Sequence, residues 1–340
     1  MEPFSRCPAF RQPAFRIGCR YDRRMWIAVR ALAVVAGLML SGAPAAATPN
    51  AALPVSYNFL DGARSELANP GGSLPGTNDF SCRPGREHPQ PVILVHGAGG
   101  GRQTNWATLA PVLVNAGYCV YALTYGALGP VWPASALGGL GDKRSSAWEI
   151  KRFADKVLAA TGARRVDLVG HSLGTEIPTY WLKYFGGRDK VAAYVSLAPF
   201  WDQGPDSGDA RNATIARFQK LLGIPGPVPD AGCDGCVNPP RGGDFNRAVR
   251  TPSPYLPGIG YTNIVTRFDE IVVPYTAGLL AGPPGTDVRN IVVQNGCAAD
   301  HSDHMSITSN RRSAALVLAA LDPAHPPKVP CVPVAPVTGG

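Results

Sequence analysis

The pentapeptide Gly170-His171-Ser172-Leu173-Gly174 is the first feature of this sequence that could do chemistry. It matches the pattern G-x-S-x-G, in which a serine occupies a tight turn between small residues. Such a turn exposes the hydroxyl as a nucleophile, and a helix that begins behind it favours developing negative charge. The pattern alone is weak because a glycine-rich chain produces it by chance, so its context must carry the assignment.

The context of Ser172 favours the nucleophile over a serine that merely caps a helix. The residues Arg165–Gly170 form a short apolar run typical of a buried strand, and a helix through about Tyr184 follows at once. A strand that turns directly into a helix is the setting that the strained turn requires. The sequence therefore predicts a nucleophilic serine.

A general base should follow the nucleophile in the chain, since the usual order on this type of fold is serine, acid, histidine. Only His301, His304 and His325 follow Ser172. His325 lies in a proline-rich tail, whereas the loop 296–310 between the last strand and the last helix is the expected place for the base. His301 and His304 both remain candidates on this argument.

The acid should follow a strand that precedes this loop. Asp269 comes directly after the predicted strand Tyr261–Arg267 and fits that position. Asp202, after an earlier strand, is the alternative. Glu270 is adjacent to Asp269 and is expected to point elsewhere.

Backbone donors are needed where a carbonyl oxygen becomes negatively charged. The residue after the nucleophile, Leu173, offers one N–H group. The glycine-rich turn 96–101 after the first strand offers another, which we assign to Ala98. This turn lacks the fingerprints of dinucleotide and P-loop sites, so no phosphate cofactor is expected.

A metal site is a further interpretation of the histidine loop. His301, His304 and Asp303 could be ligands, but one H-x-x-H in a loop without further ligands is poor support for it. We therefore expect neither a metal nor another cofactor.

Strands and helices alternate along the chain, which predicts a doubly wound, mostly parallel α/β sheet of about six strands flanked by helices. The predicted strands cover 91–97, 119–125, 165–170, 191–198, 261–267 and 288–294. The predicted helices cover 106–116, 146–160, 173–184, 214–222 and 311–321. Ser146 and Glu149 form a candidate capping box for the second helix, and Gly162 should end it.

These elements place one catalytic domain at 91–323, with an insertion at 201–258 that could act as a lid. An extended segment, 48–90, precedes this domain, and a proline-rich tail, 324–340, follows it. Four aromatic residues are candidates to line an acyl site, with packing in the core as the alternative. They are Trp106, Trp132, Phe200 and Trp201.

The amino terminus is typical of an exported protein. Arg23, Arg24 and Arg30 precede or flank the apolar stretch Ala31–Leu40, and Ala45-Ala46-Ala47 fits a signal-peptidase site, so residues 1–47 are predicted to be removed. The apolar stretch is too short for a stable membrane anchor.

The chain has 32 basic and 24 acidic residues, of which seven basic and two acidic residues lie in the leader. The chain without the leader therefore has a net charge near +3. A nucleic-acid partner is therefore not expected.

Six cysteines remain after the leader, an even number that indicates disulfides in an exported chain. Their neighbourhood in the sequence favours the pairs Cys82–Cys119, Cys233–Cys236 and Cys297–Cys331. A redox role for the Cys-Asp-Gly-Cys segment is less favoured, because its turn residues suit a structural loop.

Several longer segments resemble one known family. They include D-F-S-C-R-P before P-V-I-L-V-H-G, then V-L-A-A-T-G-A-R-R-V-D-L-V-G-H-S, then F-D-E-I-V-V-P, and finally V-V-Q-N-G-C-A-A-D-H-S-D-H-M-S-I. In this order, from about Phe80 to Pro323, the chain resembles the secreted class 2 lipases in their actinobacterial form.

The resemblance implies an α/β-hydrolase fold and a serine carboxylic-ester hydrolase that acts on acylglycerols or similar lipid esters at a lipid–water interface. It also implies Ser172 as nucleophile, Asp269 as acid and His304 as base, with the cysteine pairs given above. The chain departs from the family at Leu173 and Thr175, where glutamine and glycine are common. A bulkier pocket wall there is expected to shift substrate preference.

Other functions stay open on the sequence. A short-chain esterase, a polyesterase or an acyltransferase could use the same acyl-enzyme, and an exported binding protein could keep the scaffold without activity. The complete serine, aspartate and histidine set counts against the binding protein.

Overall fold

The computed structural model describes residues 51–199, 201 and 244–340. Within it, Ala52–Gly340 form one compact unit. Several predictions lie outside the described residues: the leader, the helix over 214–222, the alternative acid Asp202, Phe200, and the pair Cys233 and Cys236.

One sheet of six strands, all parallel, forms the centre of the fold in the order β2-β1-β3-β4-β5-β6. Strands β1 to β3 are buried on both faces, which explains why they appear in the sequence as almost continuous apolar runs. The predicted parallel α/β architecture is confirmed. The strands are β1 (Val92–Val95), β2 (Val120–Leu123), β3 (Val166–His171), β4 (Val191–Leu197), β5 (Gly260–Val265) and β6 (Asp287–Val292).

Helices cover both faces of the sheet and enclose two apolar clusters. The helices α3, α4 and α5 contribute to one cluster, and α2 and α6 to the other. The helices are α1 (Asp61–Ala68), α2 (Leu109–Asn115), α3 (Lys143–Thr161), α4 (Leu173–Tyr184), α5 (Asp244–Arg250) and α6 (Arg311–Leu321).

Two local expectations are wrong. The segment 48–90 is not wholly extended, because α1 forms within it from a mostly polar stretch without a clear apolar period. The capping box at Ser146 is also wrong: α3 begins one turn earlier, where the Asp142 carboxylate accepts a hydrogen bond from the Ser145 N–H at 2.7 Å. The end of α3 at Gly162 is confirmed, with a left-handed φ of 73° that glycine adopts without strain.

The last part of the expected insertion belongs to the body of the fold. Helix α5 packs on α4, and the Lys183 ammonium on α4 lies 2.7–3.0 Å from four backbone carbonyls at and after the end of α5. A cation at this end also complements the helix dipole. Residues 244–258 therefore form a fixed support beside α4.

Two disulfides join parts of the chain that are distant in sequence. Cys82–Cys119 ties the segment before the sheet to the start of β2, and Cys297–Cys331 ties the carboxyl-terminal tail to the loop after β6. Such bonds are typical of an oxidising compartment. Among the described residues, no helix has the length and apolar character to cross a bilayer.

Removing the first disulfide tests its contribution to stability. The double variant Cys82→Ala, Cys119→Ala frees a loop with a sequence separation of 37. Chain entropy then predicts a loss of up to about 4 kcal/mol in the free energy of unfolding. Denaturant titration of both oxidised proteins measures it, and equal midpoints would contradict the prediction.

Candidate active site

Ser172 lies on a strained turn between β3 and α4, at the point where sequence analysis expects a nucleophile. Its φ of 52° and ψ of −123° are unusual for a residue with a side chain. A Cβ atom on Gly174 would lie 2.0 Å from the Val95 carbonyl oxygen, and one on Gly170 would lie 2.4 Å from the Gly174 carbonyl oxygen. Backbones therefore meet so closely that both positions require glycine.

Asp269 and His304 form a buried pair. The His304 Nδ1 atom lies 2.9 and 3.0 Å from the two carboxylate oxygens of Asp269. The backbone N–H groups of Ile271 and Val272 also donate to Asp269 Oδ1, which fixes the carboxylate. His301, the other candidate base, is exposed and packs on Phe268 with ring centroids 5.1 Å apart.

The charges around His304 hold its pKa above the usual value. Burial alone would lower the pKa of the imidazole, but the charge and hydrogen bond of Asp269, with the nearby Glu270 and Asp303, outweigh burial. A carboxylate on Nδ1 also fixes the proton there, so that Nε2 is free to accept a proton.

No hydrogen bond joins the side chains of Ser172 and His304 within the described part of the chain. Contacts of this kind often tighten only when substrate is bound. The connection that is present runs through the preceding residue: His171 Nε2 lies 2.9 Å from the His304 carbonyl oxygen.

The turn after β1 contains Ala98, the predicted backbone donor. The N–H groups of Gly97, Gly99 and Gly100 donate to Asn105, Gly138 and Gly97, respectively. In the described chain, no acceptor takes up the N–H of Ala98, and this residue is exposed. A Cβ atom on Gly97 would lie only 3.1 Å from the Ser172 Cβ atom, so this turn passes beside the serine.

His96 makes this turn rigid. Its Nδ1 donates to the Gly97 carbonyl at 2.7 Å, and its Nε2 accepts from the Tyr125 N–H at 3.2 Å. The ring is fully buried and stacks on Tyr125, and this burial lowers the pKa of His96 to about 4. A neutral ring with both nitrogens satisfied is a structural support.

Sequence reasoning missed the residues that hold His304. Glu270, expected to point elsewhere, accepts the His304 backbone N–H at 3.1 Å. Asp303 accepts hydrogen bonds from Ser306 and from the Val337 N–H of the tail. Asp300 accepts from Asn310, whose side chain also caps α6. No motif signals these contacts, because they depend on how the loop folds.

The candidate aromatic residues do not act as one group. Trp106 and Trp201 have no exposed surface, and each belongs to one of the two apolar clusters. Both therefore fill the core, which is one of the two roles that the sequence allowed. The indole of Trp201 also donates to Asn263 at 3.0 Å. Trp132 is 42% exposed.

No metal-binding group of three or more ligands occurs among the residues described.

The raised pKa of His304 can be measured directly. With histidine Cε1 carbon labelling, six side chains give signals in the NMR spectrum of the full chain, and the His304 signal is followed as a function of pH. His304 should titrate above its usual range and the variant Asp269→Asn should lower that pKa, because the favourable charge is lost. His301, assigned through His301→Gln, serves as the exposed control. An unchanged His304 titration in Asp269→Asn would refute the pairing.

Comparison with known proteins identifies the fold. Residues 90–224 match the family described as alpha/beta hydrolase fold. The crystal structure of Aspergillus fumigatus lipase B is 19% identical, with a TM-score of 0.52, over 76% of this chain and 61% of that chain. A pyrrolizixenacetamide deacetylase from Xenorhabdus hominickii is 36% identical over 89 residues, which cover 25% of this chain.

These matches cover only part of the length of each relative. The chain spans 61% of the lipase chain and 29% of the length of the deacetylase. Together with the six-stranded parallel sheet, these matches support the architecture, which includes the strand–turn–helix that holds Ser172. This chain has the α/β-hydrolase fold.

Proposed function

We propose that the chain is an exported serine ester hydrolase of the lipase type. The observation that carries the proposal is the buried Asp269–His304 pair beside a serine on a strained turn. This combination supplies a base with a fixed tautomer and a half-buried serine hydroxyl as the nucleophile.

The chemistry follows from the positions of these groups. Ser172 Oγ attacks the ester carbonyl and gives its proton to His304 Nε2, while Asp269 stabilises the imidazolium that forms. The N–H groups of Ala98 and Leu173 bind the oxygen of the tetrahedral intermediate. His304 then protonates the leaving alcohol, and water releases the acyl group by the reverse sequence.

An apolar loop beside the site supports a lipid ester as the substrate. Four large side chains of the apolar loop 127–137 are exposed: Leu128, Val131, Trp132 and Leu137, with Val131 at 71%. No charged residue occurs between Arg102 and Asp142. At its base, Gly138 exchanges two backbone hydrogen bonds with Gly99 and Gly100, so the loop is attached to the turn that carries Ala98.

Export rests on two observations. The leader has the form of a signal peptide. The disulfides Cys82–Cys119 and Cys297–Cys331 are typical of a compartment in which thiols are not kept reduced. We propose that the chain acts outside the cytoplasm, with no nucleic acid, metal or cofactor involved.

Substitution of the three proposed catalytic residues tests the mechanism. Ser172→Ala and His304→Ala should each lower kcat for p-nitrophenyl esters by about 10⁴-fold or more, because the activated nucleophile is lost. His301→Ala is the matched control and should stay within a few-fold of wild type. An active His304→Ala variant with an inactive His301→Ala variant would move the base to His301.

The apolar loop provides a test of the substrate class. The double variant Leu128→Ser, Val131→Ser should hydrolyse an emulsified long-chain acylglycerol at least several-fold more slowly, because apolar contact area is lost. Its rate on a soluble acetyl ester should stay unchanged. Equal rates on both substrates, or an optimum at acetyl esters in wild type, would favour a short-chain esterase instead.

A further inference from the structure

The backbone of the proposed base is held on both sides by side chains. The His304 N–H donates to Glu270 Oε2 at 3.1 Å, and the His304 carbonyl lies 2.9 Å from His171 Nε2. Glu270 belongs to the same loop as the acid, whereas His171 is bonded covalently to Ser172. The second contact therefore links the base to the nucleophile.

This contact has a defined direction. A carbonyl oxygen only accepts hydrogen bonds, so His171 Nε2 carries the proton and donates. Burial and the proximity of His304 hold the pKa of His171 well below its usual value, so the ring stays neutral. His171 thus adds no charge beside His304, although the two rings pack with centroids 4.9 Å apart.

The other side of the same ring faces the turn after β1. His171 Nδ1 lies 3.1 Å from Asn105 Oδ1, and the same oxygen accepts the Gly97 N–H at 3.2 Å. Because the His171 proton is on Nε2, Nδ1 has none to donate, and its approach to Asn105 Oδ1 is a contact rather than a hydrogen bond. One buried side chain therefore touches the loop of the base directly and the turn of Ala98 through Asn105.

Within the residues that the structure describes, the His171–His304 contact is the one hydrogen bond between the turn 170–174 and the loop 296–310. Ser172 Oγ makes none to His304 there. The direct hydrogen bond between these two segments therefore comes from the residue that precedes Ser172.

We propose that His171 is a positioning residue, which fixes His304 relative to Ser172 through its Nε2–H bond to the His304 carbonyl. This inference rests on the proposed function. Productive proton transfer requires hydrogen-bond reach between Ser172 Oγ and His304 Nε2, and a shift of about 1 Å can cost about 100-fold in rate.

Two substitutions separate the hydrogen bond from the packing of the ring. His171→Phe keeps a ring but removes the donor, whereas His171→Gln removes the ring but places an amide nitrogen near the position of Nε2. The Phe variant should lower kcat about 10–100-fold with KM within about three-fold, since binding is untouched while proton transfer is misaligned. The Gln variant should recover most of kcat.

Counting the reactive serines corrects the measured rate of each variant for any loss of folded protein. Each variant is treated to completion with a fluorescent alkylphosphonate, and kcat is expressed per labelled serine. A Phe variant with wild-type kcat per labelled site would overturn the proposal. A Gln variant as slow as the Phe variant would also overturn it, because ring packing would then be the relevant contribution.

The proposed function and this inference fail in different ways. If wild type neither labels nor hydrolyses esters and matches Ser172→Ala, the proposed function fails. Hydrogen exchange at the amides of residues 301–306 still tests the contact: exchange should rise in His171→Phe and not in His171→Gln. Equal exchange in wild type and the Phe variant would overturn the contact itself.

Discussion

The close crossing of backbones at Ser172 is the constraint on which the rest of the site depends. The turn 170–174 passes between β1 and β4, with the Ser172 N–H bonded to the Leu197 carbonyl at 3.0 Å. Glycine at 170 and 174 is the only solution that avoids a clash with neighbouring backbone. Because the turn cannot relax, Ser172 keeps a left-handed φ, and α4 begins directly behind it. A cost of about 1–3 kcal/mol for such strain has to be offset by the packed strands around it.

Carboxylates organise the other half of the site. Asp269 faces the imidazole of His304, Glu270 holds its backbone N–H, and Asp303 anchors the tail beside it. A further buried carboxylate lies on the helix that begins after Ser172, where Glu176 of α4 forms ion pairs with Lys143 at 3.7 Å and Arg250 at 3.8 Å. These cations come from α3 and α5, so the pairs join three helices. Buried charges that are paired in this way resist rearrangement, because breaking one pair leaves an uncompensated charge.

Much of the fold was predictable because its signals are local. Short apolar runs located the buried strands, and Gly170 and Gly174 marked the turn before any contact was known. Local signals also misled where several acceptors compete, as with Asp142 and Ser146 at the start of α3. The first helix, α1, was missed since a polar surface helix has little apolar periodicity. The contacts of His171, Asn105 and Glu270 could not be read from the sequence, because each joins loops separated by tens of residues.

The central claim is that Ser172 is a nucleophile activated by its surroundings. Peptide mapping by mass spectrometry after reaction of the full chain with an alkylphosphonate tests it most directly. We predict a single phosphonylated peptide with the adduct on Ser172, formed faster as His304 loses its proton with rising pH. The other serines of the chain serve as internal controls. An adduct spread over several serines, or none on Ser172 of folded and disulfide-bonded protein, would contradict the account.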